Sequence, residues 1–351
     1  MSNTSGNHTK HILWMGLLVL FALLSACSTP TVTPTPTPST PTPTPEISPT
    51  PTLGPLGGDD NPLVIGFDTG ADPTGQNTSA RQDFTDALAA ATGYNVTFSG
   101  YSDPRDLMDA LKNREVDLAW LHPLTYIYAR EKDLASVGLL SNHFGTYFYG
   151  TQFLANAESG YTQFYNTDSN SGTADAATAL AQFDGTRPCW VEPGSISGFI
   201  YPDGLLEQAK VEVQSGVLTQ SFTATIRSLY IKGICDFGVT FAISGDPRTS
   251  SAVTSDLTDV MQRVVVVWQS NAEIPNLNLS YSSVDVPESL QRDLNDALVK
   301  MMDSEDNRSL LSQALNGYDI QGLKIVDDSI YDPLRQAVDL SGTDVSQWIG
   351  R

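Results

Sequence analysis

Histidine and positive charge are both scarce in this chain. Its 351 residues include four His, two of them among the first eleven positions. The other two, His122 and His143, have no Cys, Asp or Glu partner at the spacings that hold a metal ion, so neither metal nor cofactor is expected. Phosphate-binding Gly-rich loops, dinucleotide fingerprints and calcium loops are missing as well. Ser195 sits in Pro-Gly-Ser-Ile-Ser-Gly rather than in the Gly-x-Ser-x-Gly of a nucleophile elbow. No catalytic residue is therefore expected, and the chain reads as a non-enzyme. Lys and Arg number 19 against 40 Asp and Glu, a formal charge of −21. Such an excess of acid argues against nucleic acid and against an anionic lipid surface as partners.

No run is long and apolar enough to read as a membrane span. Ile12–Leu24 falls short of the ~20 residues a span needs. Lys10, that run and then Leu24-Ser25-Ala26-Cys27 instead read as an export signal over 1–26 ending in a bacterial lipobox, with Cys27 as the lipidated residue. A membrane-anchored position on the extracytoplasmic face is expected. Removing 1–26 takes away Lys10 and no acid, so the charge becomes −22. Residues 27–61 continue as Thr-Pro repeats that form neither helix nor sheet and carry little to bury. They read as a semi-rigid stalk that, at about 3.1 Å per residue, reaches roughly 100 Å.

Beyond the stalk, strand and helix alternate. Leu63–Phe67 reads as a buried strand, Ala80–Ala91 as a helix stopped by Gly93, and Val96–Phe98 as a second strand. Asp103-Pro104 opens another helix, Val116–Leu121 is a third strand, and His122-Pro123 breaks it before a helix at Leu124–Arg130. The order βαβαβ implies a parallel sheet with crossover helices. A second alternation runs from Cys189–Val191 through a helix from Ser197, a strand at Val211–Val213, a helix around Ile226–Ile231 and a strand at Ile234–Val239. At its head lies Pro188–Pro202, a strand, a Pro-Gly corner and Ser-x-Ser-Gly. Two roles fit Ser195-Ile196-Ser197-Gly198: a plain helix cap, or a cradle of N–H groups and hydroxyls for a small anion.

Four segments together carry a family resemblance. They are Val116-Asp117-Leu118-Ala119-Trp120-Leu121-His122-Pro123 with Tyr126, Glu192–Pro202, Cys235–Phe241, and Val264–Trp268 with Ser270, Ile274 and Pro275. In this order and spacing the chain resembles the PhnD-like phosphate/phosphite/phosphonate-binding proteins that feed ABC importers. The resemblance implies a two-lobed α/β fold of the type II periplasmic-binding class, each lobe a mainly parallel sheet flanked by helices. It places lobe one at 62–151, lobe two at 152–269, and a return to lobe one with the C-terminal helices at 270–351. The implied function is capture of a small polar or anionic solute between the lobes, with an ABC permease and ATPase as partners. Two alternatives are an extracytoplasmic sensor presenting its solute to a receptor kinase and a secreted enzyme on the same fold.

The resemblance carries ligand contacts onto Ser195, Ser197 and Gly198, onto Tyr149 with Tyr147 beside it, and onto His122 and Tyr126 as the lobe-one wall. His122 stands where the family pattern has Gly. Phe222 occupies the place of a phosphonate-binding His, and Asn276-Leu277-Asn278 replaces an acid able to pair with a ligand amine. The family's ligand therefore does not transfer automatically. In a type II lobe the first and third strands are neighbours, so Cys189 and Cys235, the two cysteines left after Cys27, fit a disulfide. Two separate buried thiols fit as well.

Overall fold

The computed structural model describes residues 54–68, 77–284 and 286–350. The expected export signal, Cys27 and most of the Thr-Pro stalk lie outside them. Among the described residues no helix is long and apolar enough to cross a membrane. The stalk ends earlier than position 61. Gly57 donates its N–H to Asn61 O and accepts from Asn95 N–H, and Tyr94 packs on Gly57. Gly57 has φ +84°, so the chain turns back there and is already part of the folded body.

Fourteen strands are present among the described residues. The first sheet contains β1 (Leu63–Asp68), β2 (Val96–Tyr101), β3 (Leu118–Leu121) and β4 (Ala135–Asn142). The second contains β5 (Phe148–Asn156), while β6 (Tyr165–Asn166) and β7 (Ser171–Gly172) form a small hairpin. The second sheet continues with β8 (Pro188–Trp190), β9 (Val217–Leu218), β10 (Phe237–Ala242), β11 (Val264–Gln269) and β12 (Ile274–Pro275). Then β13 (Asn278–Ser282) and β14 (Gly322–Ile325) rejoin the first. Sheet one has the order β14-β4-β13-β3-β1-β2 and sheet two β11-β5-β10-β8-β9, with β12 beside β5. This is the two-sheet α/β architecture expected.

The sheets are mixed rather than purely parallel, and the chain path explains it. The βαβ runs give parallel pairs β1–β2, β1–β3, β8–β9 and β8–β10. By contrast β5, which carries the chain out of sheet one, arrives in sheet two from the opposite end and pairs antiparallel with both β10 and β11. On the return, β13 enters sheet one antiparallel to β3 and β4. The two connecting strands touch at Ile274–Tyr149 and Pro275–Phe148.

Local chemistry accounts for most elements. The helix Thr78–Thr92 buries Phe84 and Leu88 and stops at Gly93, whose φ of 77° and N–H bond to Ala89 O close the C-terminus. Asp103 caps the helix Pro104–Lys112 through the Arg105 N–H. One expected strand is missing. Val211–Val213 has no ladder: Val211 N–H closes back on Leu206 O, Glu212 N–H goes to Asp184 Oδ1, and only isolated backbone bonds reach residues 185 and 186. The strand forms later, at Val217–Leu218, after Gly216 has passed close over the Trp190 indole.

The C-terminal segment also departs from expectation. The helices Glu288–Met301 and Glu305–Ala314 bury Leu290, Leu294, Leu298 and Leu311 in the core of sheet one. The last helix, Asp332–Leu340, does not join them. It packs on the helix Tyr201–Ala209, where Gly204 lies so close to Ala337 that a Cβ has no room. Its buried face of Leu334, Ala337 and Val338 lies in one core with Leu205, Leu206 and Tyr201, so residues 332–340 serve sheet two.

Asp203, half-buried in the first turn of Tyr201–Ala209, has its carboxyl pushed up to about 6 by burial and by nearby Glu207. The folded-state value lies above the unfolded one, so the contribution to stability is full below pH ~4 and is lost as pH rises through about 6. Asp203→Asn is expected to stabilise the protein at pH 7.5 by up to about 2–3 kcal/mol. That gain is expected to vanish at pH 4, which melting curves at the two pH values check.

Candidate functional site

At the ends of β3, β8 and β10 the chain leaves both sheets toward a common cavity of about 630 Å³. In open α/β sheets the crevice beyond the carboxyl ends of parallel strands is where ligands sit. His122, Tyr149, Ser195, Ser197 and Phe222 all line it.

The serine turn is built by what Pro202 lacks. In an α-helix residue 202 would donate to Gly198 O, but proline has no N–H. Gly198 O instead accepts the Val191 N–H at 3.0 Å, and Ile196–Ile200 opens into one wide turn of π type, with Ile200 N–H bonded to Ser195 O. The expected helix from Ser197 therefore becomes this turn followed by Tyr201–Ala209. Ser195 caps it, its Oγ accepting the Gly198 N–H at 3.1 Å. Both backbone groups of Gly198 are thus committed, to Ser195 and to Val191, and Gly198 does not line the cavity; it packs on Val191. Ser197 has a different role. Its carbonyl accepts from Thr151 Oγ1 at 2.8 Å, which fixes the residue, while its hydroxyl makes no hydrogen bond within the described protein. As the first residues of the turn, Ile196 and Ser197 have N–H groups with no partner inside it.

The remaining polar groups converge from the connecting strand and the loop after β10. Burial raises the Tyr149 phenol well above its ordinary range, with Tyr318 nearby adding to the shift, so Tyr149 is a neutral donor. Tyr318 is pushed up to about 12, mainly by burial. Ser250 Oγ is buried without a hydrogen-bond partner at the cavity's edge. On the sheet-one wall His143 Nδ1 lies 2.7 Å from Asp319 O. A carbonyl only accepts, so Nδ1 carries the hydrogen and Nε2 is the open nitrogen.

Two expected contacts lie elsewhere. Tyr126 is fully buried on the helix Pro123–Glu131, and its hydroxyl donates to Asp328 Oδ1 at 2.5 Å. Burial works to raise the Asp328 carboxyl, but Arg335 and the Tyr126 hydroxyl together hold it below the usual carboxylate range. Tyr126 thus belongs to a partly exposed ion-pair cluster with Asp328 and Arg335: four residues past His122, the helix has turned it inward. Tyr147 precedes β5 and lies beneath Lys324, 4.5 Å from Nζ to the ring centroid, not in the cavity. Of the Asn276–Asn278 segment, Asn276 lines the cavity, while Asn278 is buried and bonded to Leu121 O and the Tyr331 hydroxyl.

His143, Phe144, Phe241, Tyr318 and Ser250 were not expected at the site. Tyr318 follows Asn316 and Gly317, both in the left-handed region at φ 57° and 81°. That Asn-Gly turn is visible in sequence, but nothing local ties it to a crevice formed some 170 residues away. The rim is also touched from the C-terminal segment. Trp348 covers Gly194, leaving no room for a Cβ there, and Gly350 N–H donates to Thr125 Oγ1 at 2.6 Å.

The described disulfide joins Cys189 to Cys235 with their Cα atoms 5.6 Å apart. It ties β8 to the segment leading into β10, in a core with Ile226, Leu229 and Val264.

Residues 72–331 match the family described as "ABC transporter, phosphonate, periplasmic substrate-binding protein". The chain is 30% identical over 129 residues to the phosphate-import protein PhnD of Mycolicibacterium smegmatis, an alignment covering 36% of each chain, so it spans about a third of that relative's length. In fold it is similar to XAC2383 from Xanthomonas citri bound to ATP, with a TM-score of 0.54, 12% identity, and coverage of 82% of this chain and 97% of that one. PhnD1 from Prochlorococcus marinus in complex with methylphosphonate aligns over 80% of this chain and 98% of its own, at 12% identity and a TM-score of 0.49.

Proposed function

Since the chain belongs to the phosphonate-type periplasmic substrate-binding family of ABC transporters, we propose that it captures a small solute with an oxyanion head in the crevice between its two sheets and delivers it to an ABC permease and ATPase. The lobes are residues 62–151 and 152–269, with 270–351 returning to lobe one apart from the last helix. Lipidated Cys27 and the Thr-Pro stalk hold the protein on the extracytoplasmic face.

The observation that carries this reading is the turn at Ser195–Gly198. Ile196 and Ser197, whose N–H groups find no partner within the turn and nor does the Ser197 hydroxyl, line a cavity also lined by Tyr149, a neutral donor. Hydrogen-bond donors without a formal cation suit an oxyanion that must be released again as well as held. Closure of such a crevice requires that the solute bind the closed form better than the open one. The paired strands β5 and β12 are the connection about which it turns.

Thermal-shift measurements with phosphate, phosphite, methylphosphonate and sulfonates test this directly. A solute at 100 times its Kd is expected to stabilise by about 2.7 kcal/mol. Small-angle scattering with the best solute is expected to show compaction. Stabilisation by none of these oxyanions would remove the proposal.

A further inference from the structure

We propose that the solute carries an aromatic or heteroaromatic ring beside its oxyanion head, and that the ring lies between two aromatic walls of the cleft. The proposal rests on the reading of the cleft as the solute site and deepens it.

One wall belongs to sheet one. His143 and Tyr318 stack with centroids 4.1 Å apart and an interplanar angle of 16°. The other belongs to sheet two, where Phe222 meets Phe241 edge-on at 4.9 Å and 90°. All four rings line the same cavity. Rings held in these ways present π faces and C–H edges, which pair best with another ring in offset or edge-to-face contact. A volume of about 630 Å³ lies in the range of sites that enclose a drug-sized ligand, far more than a one-carbon head group fills.

The charges at the cleft favour the same class. No Lys or Arg lines it among the described residues. Its carboxylates are Glu192 and Asp246, and Arg248 already neutralises Asp246 at 2.7 Å. A small, highly charged anion would depend on hydrogen bonds alone, whereas a ring adds apolar contact that the walls supply.

Phe144 supplies an independent observation. It lines the cleft yet is 62% exposed, and its backbone is left-handed at φ 47°. Phe144 and Gly145, both at positive φ, form the two-residue turn between the paired His143 and Thr146, a position where Asn, Asp or Gly is usual and a bulky side chain is rare. Its ring lies 4.1 Å from that of His143 at an interplanar angle of 45°, so Phe144 extends the sheet-one wall toward the cleft, where a solute ring adds to that contact.

Calorimetry on the intact protein with methylphosphonate, phenylphosphonate and benzenesulfonate tests the proposal, with Phe222→Leu, Phe144→Gly and Ser197→Ala as variants. Phenylphosphonate is expected to bind roughly tenfold more tightly than methylphosphonate. Phe222→Leu, which keeps the apolar volume, and Phe144→Gly, which relieves the backbone, are each expected to shrink that ratio. Methylphosphonate binding as tightly as phenylphosphonate, or no binding of either aryl probe, overturns the ring. In the first case the cleft reading survives if Ser197→Ala still weakens methylphosphonate. Binding of phosphonates unchanged by Ser197→Ala overturns the cleft reading itself.

Discussion

Ser197→Ala is expected to weaken binding of the preferred oxyanion about ten- to a hundredfold while the melting temperature of the solute-free protein barely moves. The Ser197 hydroxyl has no partner within the described protein, so its loss leaves no buried group orphaned. A hydrogen bond to a charged group contributes roughly 1.5–3 kcal/mol, which sets the fold-change. Ser195→Ala is expected to behave differently, although the two serines look alike in Ser-x-Ser-Gly. Its Oγ accepts the Gly198 N–H, so alanine leaves that donor unpaired and lowers stability by about 1 kcal/mol. Titration calorimetry and melting curves on both variants separate the roles. Loss of stability with intact affinity in Ser197→Ala would place its hydroxyl in the fold instead of the site.

Opening the Cys189–Cys235 bridge is expected to cost about 2–4 kcal/mol, because the two cysteines are 46 positions apart and the unfolded chain regains that loop's freedom. Both residues are buried, at 0% and 6% exposure, so the paired serines of Cys189→Ser/Cys235→Ser also place hydroxyls in an apolar core. Paired alanines are the cleaner variant. They are expected to lower the melting temperature by roughly 4–8 °C. Reductant is expected to reproduce the drop in the parent protein and to leave the alanine variant unchanged. Equal melting of the parent with and without reductant, or two alkylated cysteines in unreduced protein, counts against the bridge.

Much of the fold was legible in sequence because local chemistry decided it. Gly93 stops a helix, Asp103-Pro104 opens one and His122-Pro123 ends a strand, each through backbone constraints that act within a few residues. The serine turn was legible in place but not in shape, since the π turn depends on Gly198 O finding Val191 once Pro202 removes its usual donor. Tyr126 and Tyr147 were misplaced because motif spacing gives position along the chain, not the direction of a side chain. The helix turns Tyr126 toward Asp328, and Tyr147 packs under Lys324. The direction of β5 depended on where the chain came from, which no pattern of apolar residues encodes. The second aromatic wall partner, Tyr318, required knowing that a turn after residue 315 meets His143.

The indole resting on Gly194 has an optical consequence. Of the four tryptophans among the described residues, Trp120, Trp190 and Trp268 are 1%, 5% and 5% exposed, whereas Trp348 retains contact with solvent and covers the residue just ahead of Ser195. Fluorescence from the three buried rings has little room to respond to events at the surface. The colour of the fourth depends on how closely the Pro-Gly corner stays beneath it. A solute that pulls on the serine turn therefore shifts the emission of one identifiable chromophore, and the protein announces its own occupancy without an added dye.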